Sequence, residues 1–187
     1  EPASVYLPEG MRPLVHALRG VGGALSPAPP RPRWLCYGDS IAEGWCASEP
    51  ALAWPQVAAR ELGLDVANLA YAGSARGELA SAEELAQLPA ELVSLAHGTN
   101  CWTRTPHGAA LFAEGLRAFL ALVREGHPRT PIVALSPILR PDAEAAKNRL
   151  GATLADLRAA FEAVVRERQA AGDARLVLVP GQALVAR

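Results

Sequence analysis

Lysine is almost missing. Lys147 is the only one, and every other basic side chain but histidine is arginine. With 18 basic against 19 acidic residues the formal net charge is −1. Bulk charge therefore selects neither nucleic acid nor an anionic membrane as partner. The abundance of Ala and Arg reflects base composition rather than function. Cysteine is scarce as well. Cys36, Cys46 and Cys101 are an odd set without a C-x-x-C pair, which argues against a disulfide framework and a structural zinc site. No apolar run reaches the ~18–20 residues that span a bilayer. No secretory signal is visible, so a cytoplasmic protein is expected. No G-x-G-x-x-G or Walker pattern follows the first apolar run, which counts against a nucleotide binder.

What is present is a globular composition. The chain has 187 residues, half of them apolar and a fifth charged, enough for one domain with a sizeable core. Residues 1–33 stand apart. Val5–Pro8 and Leu14–Leu18 read as short edge strands. Gly20–Gly23 and Ser26–Pro32 are too rich in Gly and Pro for regular structure and read as a linker. Residues 1–33 are thus expected to be the tail of a preceding β-rich domain plus a linker.

From Trp34 onward apolar runs alternate with helical periodicity. Strands are expected at Trp34–Tyr37, Val66–Ala70, Leu92–Ala96, Ile132–Ser136 and Leu176–Val179, each bounded by turn residues as buried parallel strands are. Helices are expected over residues 51–62, 108–125 and 142–171. In the second, Phe112, Leu116, Phe119, Leu120 and Val123 share one face. In the third, Leu150, Leu154, Leu157, Phe161, Val164 and Val165 do so, with Gly151 interrupting near its start. This alternation implies an α/β fold, a parallel sheet with helices on both faces.

In such a sheet all βα loops meet at one edge, where open sheets bind ligands. Gly38-Asp39-Ser40 follows the first strand, Tyr71 to Gly77 the second, and His97 to Trp102 the third. A serine at a tight strand-to-helix bend suits a nucleophile, and its bland alternative is a helix cap. Small residues and an amide in the other loops suit an oxyanion hole, and their bland alternative is ordinary turn chemistry.

Taken together, the three loops resemble the GDSL, or SGNH, superfamily of serine esterases and acyltransferases. Gly38-Asp39-Ser40 with Ile41-Ala42-Glu43-Gly44-Trp45 is similar to that family's nucleophile block. Asn68-Leu69-Ala70-Tyr71-Ala72-Gly73 resembles its second block, and Gly98-Thr99-Asn100 its third. The resemblance covers residues 34–187. It implies a flavodoxin-like three-layer α/β/α sandwich with a five-stranded parallel sheet. It implies Ser40 as nucleophile, with Gly73 and Asn100 as oxyanion donors. Asp39 invites a reading as triad acid, but adjacent residues on a tight turn rarely face each other, so loop support through backbone hydrogen bonds is expected of it. Trp45, Arg76, Trp102 and His97 are candidate substrate-binding residues.

Two positions depart from the family pattern. Cys101 stands where the third block usually has Asp. The family's closing Asp-x-x-His, which supplies the base and its carboxylate, occurs nowhere in the chain. The catalytic His and Asp are therefore expected beyond Arg187. His97, nearest the site in sequence, and His107, near the start of a helix, are weaker candidates for the base; His127 falls at a helix C-terminus on the wrong sheet edge and His16 in the N-terminal segment. The expected function is acyl transfer through an acyl-enzyme, from a small-molecule ester or thioester to water or a hydroxyl acceptor. Neither metal nor organic cofactor is implied. The alternative is a non-catalytic binding module on the same fold. The family contains a two-domain subgroup with a β-rich N-terminal domain, which includes carbohydrate esterases and an acyltransferase acting on a tetracycline-type polyketide.

Overall fold

The computed structural model describes residues 3–7 and 13–185. Five parallel strands form one sheet in the order β2-β1-β3-β4-β5. They are β1 (Arg33–Gly38), β2 (Asp65–Asn68), β3 (Leu92–Ala96), β4 (Ile132–Leu135) and β5 (Leu176–Val179). The helices are α1 (Ser40–Glu43), α2 (Trp54–Leu62), α3 (Leu79–Gln87), α4 (Ala109–Gly126) and α5 (Leu154–Ala170). The result is the expected α/β sandwich of three layers.

Strand alternation divides the core. Leu35 and Tyr37 of β1 join Val93, Leu95 and Ile132 in packing against α3, α4 and α5. Trp34 and Cys36 point to the other face, with Ala42 of α1 and Ala59 of α2. A serine inside β3 looks out of place in a buried strand until its partner is seen. The Trp34 indole N–H donates to Ser94 Oγ at 2.9 Å, so two buried polar groups satisfy each other.

The five apolar residues expected to share one face of α4 are all buried. Three elements differ from the sequence expectation. Helix α3 was not foreseen, because its two turns bury only Ala82 and Leu85 and leave a weak period. Helix α5 starts at Leu154 rather than near residue 142. Thr153 and Asp156 form a capping box there, and Leu150, expected on the apolar face, is exposed. Residues 51–62 split into a short 3-10 turn over Pro50–Leu52 and then α2, which has Pro55 in its first turn.

The segment before β1 forms no helix or strand among the described residues. Val5–Leu7 and Leu14–Leu18, expected as strands, run without a ladder partner, and Pro8 lies outside the described residues. Among the described residues no helix is long and apolar enough to cross a membrane.

Helices α3 and α4 approach closely at Gly126. A Cβ there would stand 2.0 Å from the Ala86 carbonyl oxygen, whereas one at Gly115, also in α4, would meet nothing within 4 Å. Gly126→Ala is therefore expected to lower stability by about 1–3 kcal/mol through overpacking. Gly115→Ala is expected to raise it by about 0.5–1 kcal/mol through helix propensity. Urea unfolding midpoints of the two variants check both signs.

Candidate active site

Because β1 lies between β2 and β3, the exits of these three strands adjoin. Each carries one of the loops singled out from the sequence, and hydrogen bonds lock them together.

The first loop is shaped by Gly38. A Cβ there would meet Ala42 Cβ at 2.6 Å and the Ala96 carbonyl oxygen at 2.9 Å. Without it the chain turns tightly beside β3, and the Asp39 N–H donates to that carbonyl at 3.2 Å. Ser40 opens α1, half-buried, with its own N–H among the first-turn donors that lack an intrahelical acceptor. The Asp39 carboxylate caps α1 by accepting from the Ile41 N–H at 2.9 Å. Among the described residues no side chain hydrogen-bonds the Ser40 hydroxyl.

The second loop is held to the first from both sides. The Tyr71 N–H donates to the Gly38 carbonyl at 2.9 Å. The Asn68 amide donates to the Ala42 carbonyl at 2.9 Å, and its oxygen accepts from the Ala70 N–H. Gly73 follows at φ +70°, exposed, with open space where a Cβ would be.

The third loop turns at Gly98, whose φ of +126° and contacts to Pro137 and Phe112 exclude a side chain. Asn100 follows, 7% exposed. One N–H of its amide goes to the Ser74 carbonyl of the second loop, and the second N–H remains to donate. Cys101 occupies the position where a carboxylate was expected. Its thiol is buried, its pKa is pushed up to about 12 chiefly by that burial, and it donates to the Arg76 carbonyl at 3.7 Å. A neutral thiol thus ties the third loop to the second.

The remaining expected residues separate into rim and floor. Trp45 is 67% exposed beside Ser40, where it helps line a cleft of about 240 Å³ with Leu52 and Trp54. Arg76 is half-buried and donates to the Gly73 carbonyl at 2.8 Å. Trp102 donates its indole N–H to the Ala146 carbonyl at 2.8 Å. His97 borders a second cavity, of about 390 Å³, with Asp39, Thr99 and Pro137. Its ring, however, is packed against Tyr37, Phe112, Phe119 and Phe161, with centroids 5.3 to 6.1 Å away. Burial drives its pKa down to about 4, so the imidazole is neutral. His97 is therefore a floor beneath the loops, and its ring is not offered to a substrate.

Of the other histidines, His107 adjoins the third loop and the remaining two lie away from it. His107 donates its backbone N–H to the Cys101 carbonyl. His127 caps the far end of α4 and bonds the Leu85 carbonyl. His16 is exposed before β1. Among the described residues no cluster of three or more His, Cys, Asp or Glu side chains is arranged to hold a metal ion.

Sequence reasoning missed Arg140, on the loop after β4. Its guanidinium lies over the Trp102 ring at 5.3 Å, pairs with Asp142 and donates to Thr99 Oγ1 at 3.2 Å. No local motif marks it, because the contact spans two separate loops. Burial raises the Asp39 pKa to about 6, with the Ile41 N–H and the charge of Arg140 working against the rise.

The GDSL-like lipase/acylhydrolase family model matches residues 36–181. A search of curated protein sequences gave no match. Among solved structures, the salicylyl-acyltransferase SsfX3 from a tetracycline biosynthetic pathway is similar, with a TM-score of 0.75 and 32% identity over 83% of this chain and 44% of that one. A GDSL-like lipase from Bacteroides ovatus has a TM-score of 0.69 and 22% identity over 85% of this chain and 45% of its own. A family two carbohydrate esterase from Clostridium thermocellum has a TM-score of 0.65 and 18% identity over 83% of this chain and 56% of its own. The last two likenesses concern the fold alone. The chain spans less than half the length of the first two structures.

A carboxyl whose folded pKa is raised favours the folded state only while protonated. Its stabilisation is present below the unfolded pKa near 4 and lost as pH climbs through about 6. Asp39→Asn keeps the cap acceptor without the charge. It is expected to be more stable than wild type by about 2–3 kcal/mol at pH 7, with the gap closing below about pH 4. Urea denaturation across that range measures the difference.

Proposed function

Because the chain belongs to the GDSL-like lipase/acylhydrolase family, we propose that it performs serine-dependent acyl transfer at Ser40 on a small-molecule ester or thioester. The observation that carries this reading is the convergence of the three loops, above all the Asn100 amide bonded to the loop that bears Gly73. Ser40 Oγ attacks the acyl carbonyl and its proton passes to a general base. The carbonyl oxygen becomes an oxyanion, which accepts from the N–H groups of Ser40 and Gly73 and from the Asn100 amide. Collapse breaks the bond to the leaving alcohol or thiol, which takes the proton, and leaves the acyl group on Ser40. Water or an acceptor hydroxyl then attacks the acyl-enzyme, and Ser40 is regenerated.

None of the histidines in the described residues hydrogen-bonds Ser40. The base and its orienting carboxylate are assigned to residues outside those described. The acceptor is assigned to a hydroxyl of a small molecule, with water as competitor. The similarity to a salicylyl-acyltransferase supports transfer. Residues 1–33 are assigned to the tail of a preceding β-rich domain and a linker. Trp45, Arg76 and Trp102 are assigned to the substrate cleft.

Steady-state kinetics of the full-length protein on an aryl ester test the assignment. Ser40→Ala is expected to abolish turnover. Asn100→Ala is expected to lower kcat by about 10²–10³-fold. Retention of wild-type kcat by either folded variant contradicts the proposal.

A further inference from the structure

The loop carrying Gly73 has an unusual backbone. Gly73, Ala75 and Gly77 take φ values of +70°, +55° and +87°. Two glycines adopt that region freely. Ala75 does not, because in that region its Cβ crowds the following carbonyl oxygen. It is also wholly buried, so nothing in solvent relieves it. Some interaction must hold the chain in this shape.

One carboxylate does so. Glu78 Oε2 accepts from the Tyr37 hydroxyl at 2.7 Å and from the Arg76 N–H at 2.9 Å, and Oε1 accepts from the Ser74 hydroxyl at 3.0 Å. The Tyr37 oxygen in turn accepts from the Gly77 N–H at 3.1 Å. Residues on both sides of Ala75 are thus drawn to one point. Burial alone would raise the Glu78 pKa, but the donors from Tyr37, Arg76 and Ser74 outweigh it and hold the carboxyl below its usual value. It is ionised at neutral pH, and charge-assisted bonds are the stronger kind.

The anchor is rigid. Tyr37 is fully buried in β1, with its ring 5.0 Å from Phe119. It lies three residues before Ser40 on the strand that delivers the nucleophile. The loop it secures presents Gly73 on one side and the Ser74 carbonyl, to which Asn100 is bonded, on the other.

We infer that Glu78 is a positioning residue: through Tyr37 it fixes the loop that aims both the Gly73 N–H and the Asn100 amide at the reacting carbonyl oxygen. This rests on the reading of those two groups as oxyanion donors. Glu78 itself bonds Tyr37, Ser74 and Arg76, not Ser40, and takes no part in proton transfer.

The test uses the full-length protein with an aryl ester and, separately, a boronic acid that mimics the tetrahedral intermediate. Glu78→Gln keeps the volume but loses an acceptor, and Tyr37→Phe removes the anchor with little change of shape. Each is expected to lower kcat by about 10–100-fold with KM little changed, since small misplacement of catalytic groups is costly. Boronate affinity per folded molecule should fall in parallel with kcat/KM. On an Asn100→Ala background, Glu78→Gln should cost less than it does alone. A folded Glu78→Gln and a folded Tyr37→Phe that keep wild-type kcat and boronate affinity overturn the inference. So do variants that lose only thermal stability. If instead the wild-type protein turns over no ester and binds no boronate, the acyl-transfer reading itself fails, and the inference fails with it.

Discussion

The site depends on the missing side chain at Gly38. Its backbone lies beside Ala96 on the neighbouring strand, with Ala42 packed over it, and there is no room for a methyl group. That closeness lets β1 end in a bend tight enough to put Asp39 under the Ala96 carbonyl and Ser40 at the start of a helix. The loops after β2 and β3 are then built onto this bend. Tyr71 bonds the Gly38 carbonyl, Asn68 bonds that of Ala42, and Asn100 reaches across to Ser74. A larger residue at Gly38 would part β1 from β3 and disperse all three loops.

Charge in the site is distributed by burial. His97 is kept neutral among aromatic rings and Cys101 is kept a thiol. Asp39 is pushed toward neutrality but stays within the field of Arg140. Glu78, given three donors, remains ionised. The carboxylates thus divide by depth and by hydrogen bonding together: Asp39 is buried and Glu78 only partly so. Asp39 has one N–H donor and a raised pKa, and Glu78 has several donors and a lowered one.

Much of this was legible in the chain. The strands are short apolar runs with turn residues at each end, and a doubly covered parallel sheet needs no more than that. The loops that carry Ser40, Gly73 and Asn100 could be placed because each follows such a run and the sheet gathers the exits, and the family resemblance then picked out those three residues within them. The start of α5 was missed because apolar spacing continued upstream through Leu150, while the deciding signal was the short-range pairing of Thr153 with Asp156. His97 looked like a cleft residue because it follows a strand. Its direction follows from the pleat, which turns the ring toward α4 and α5. Glu78 and Arg140 act through partners distant in sequence, Tyr37 and Thr99, and no local pattern reports such contacts.

The central claim is that Ser40 is an activated nucleophile. Labelling of the full-length protein with a fluorophosphonate, read by intact mass and peptide mapping, tests it directly. One adduct on Ser40, absent from the Ser40→Ala variant, is the predicted result. No adduct on a demonstrably folded full-length protein, or an adduct that persists in the variant, would contradict it.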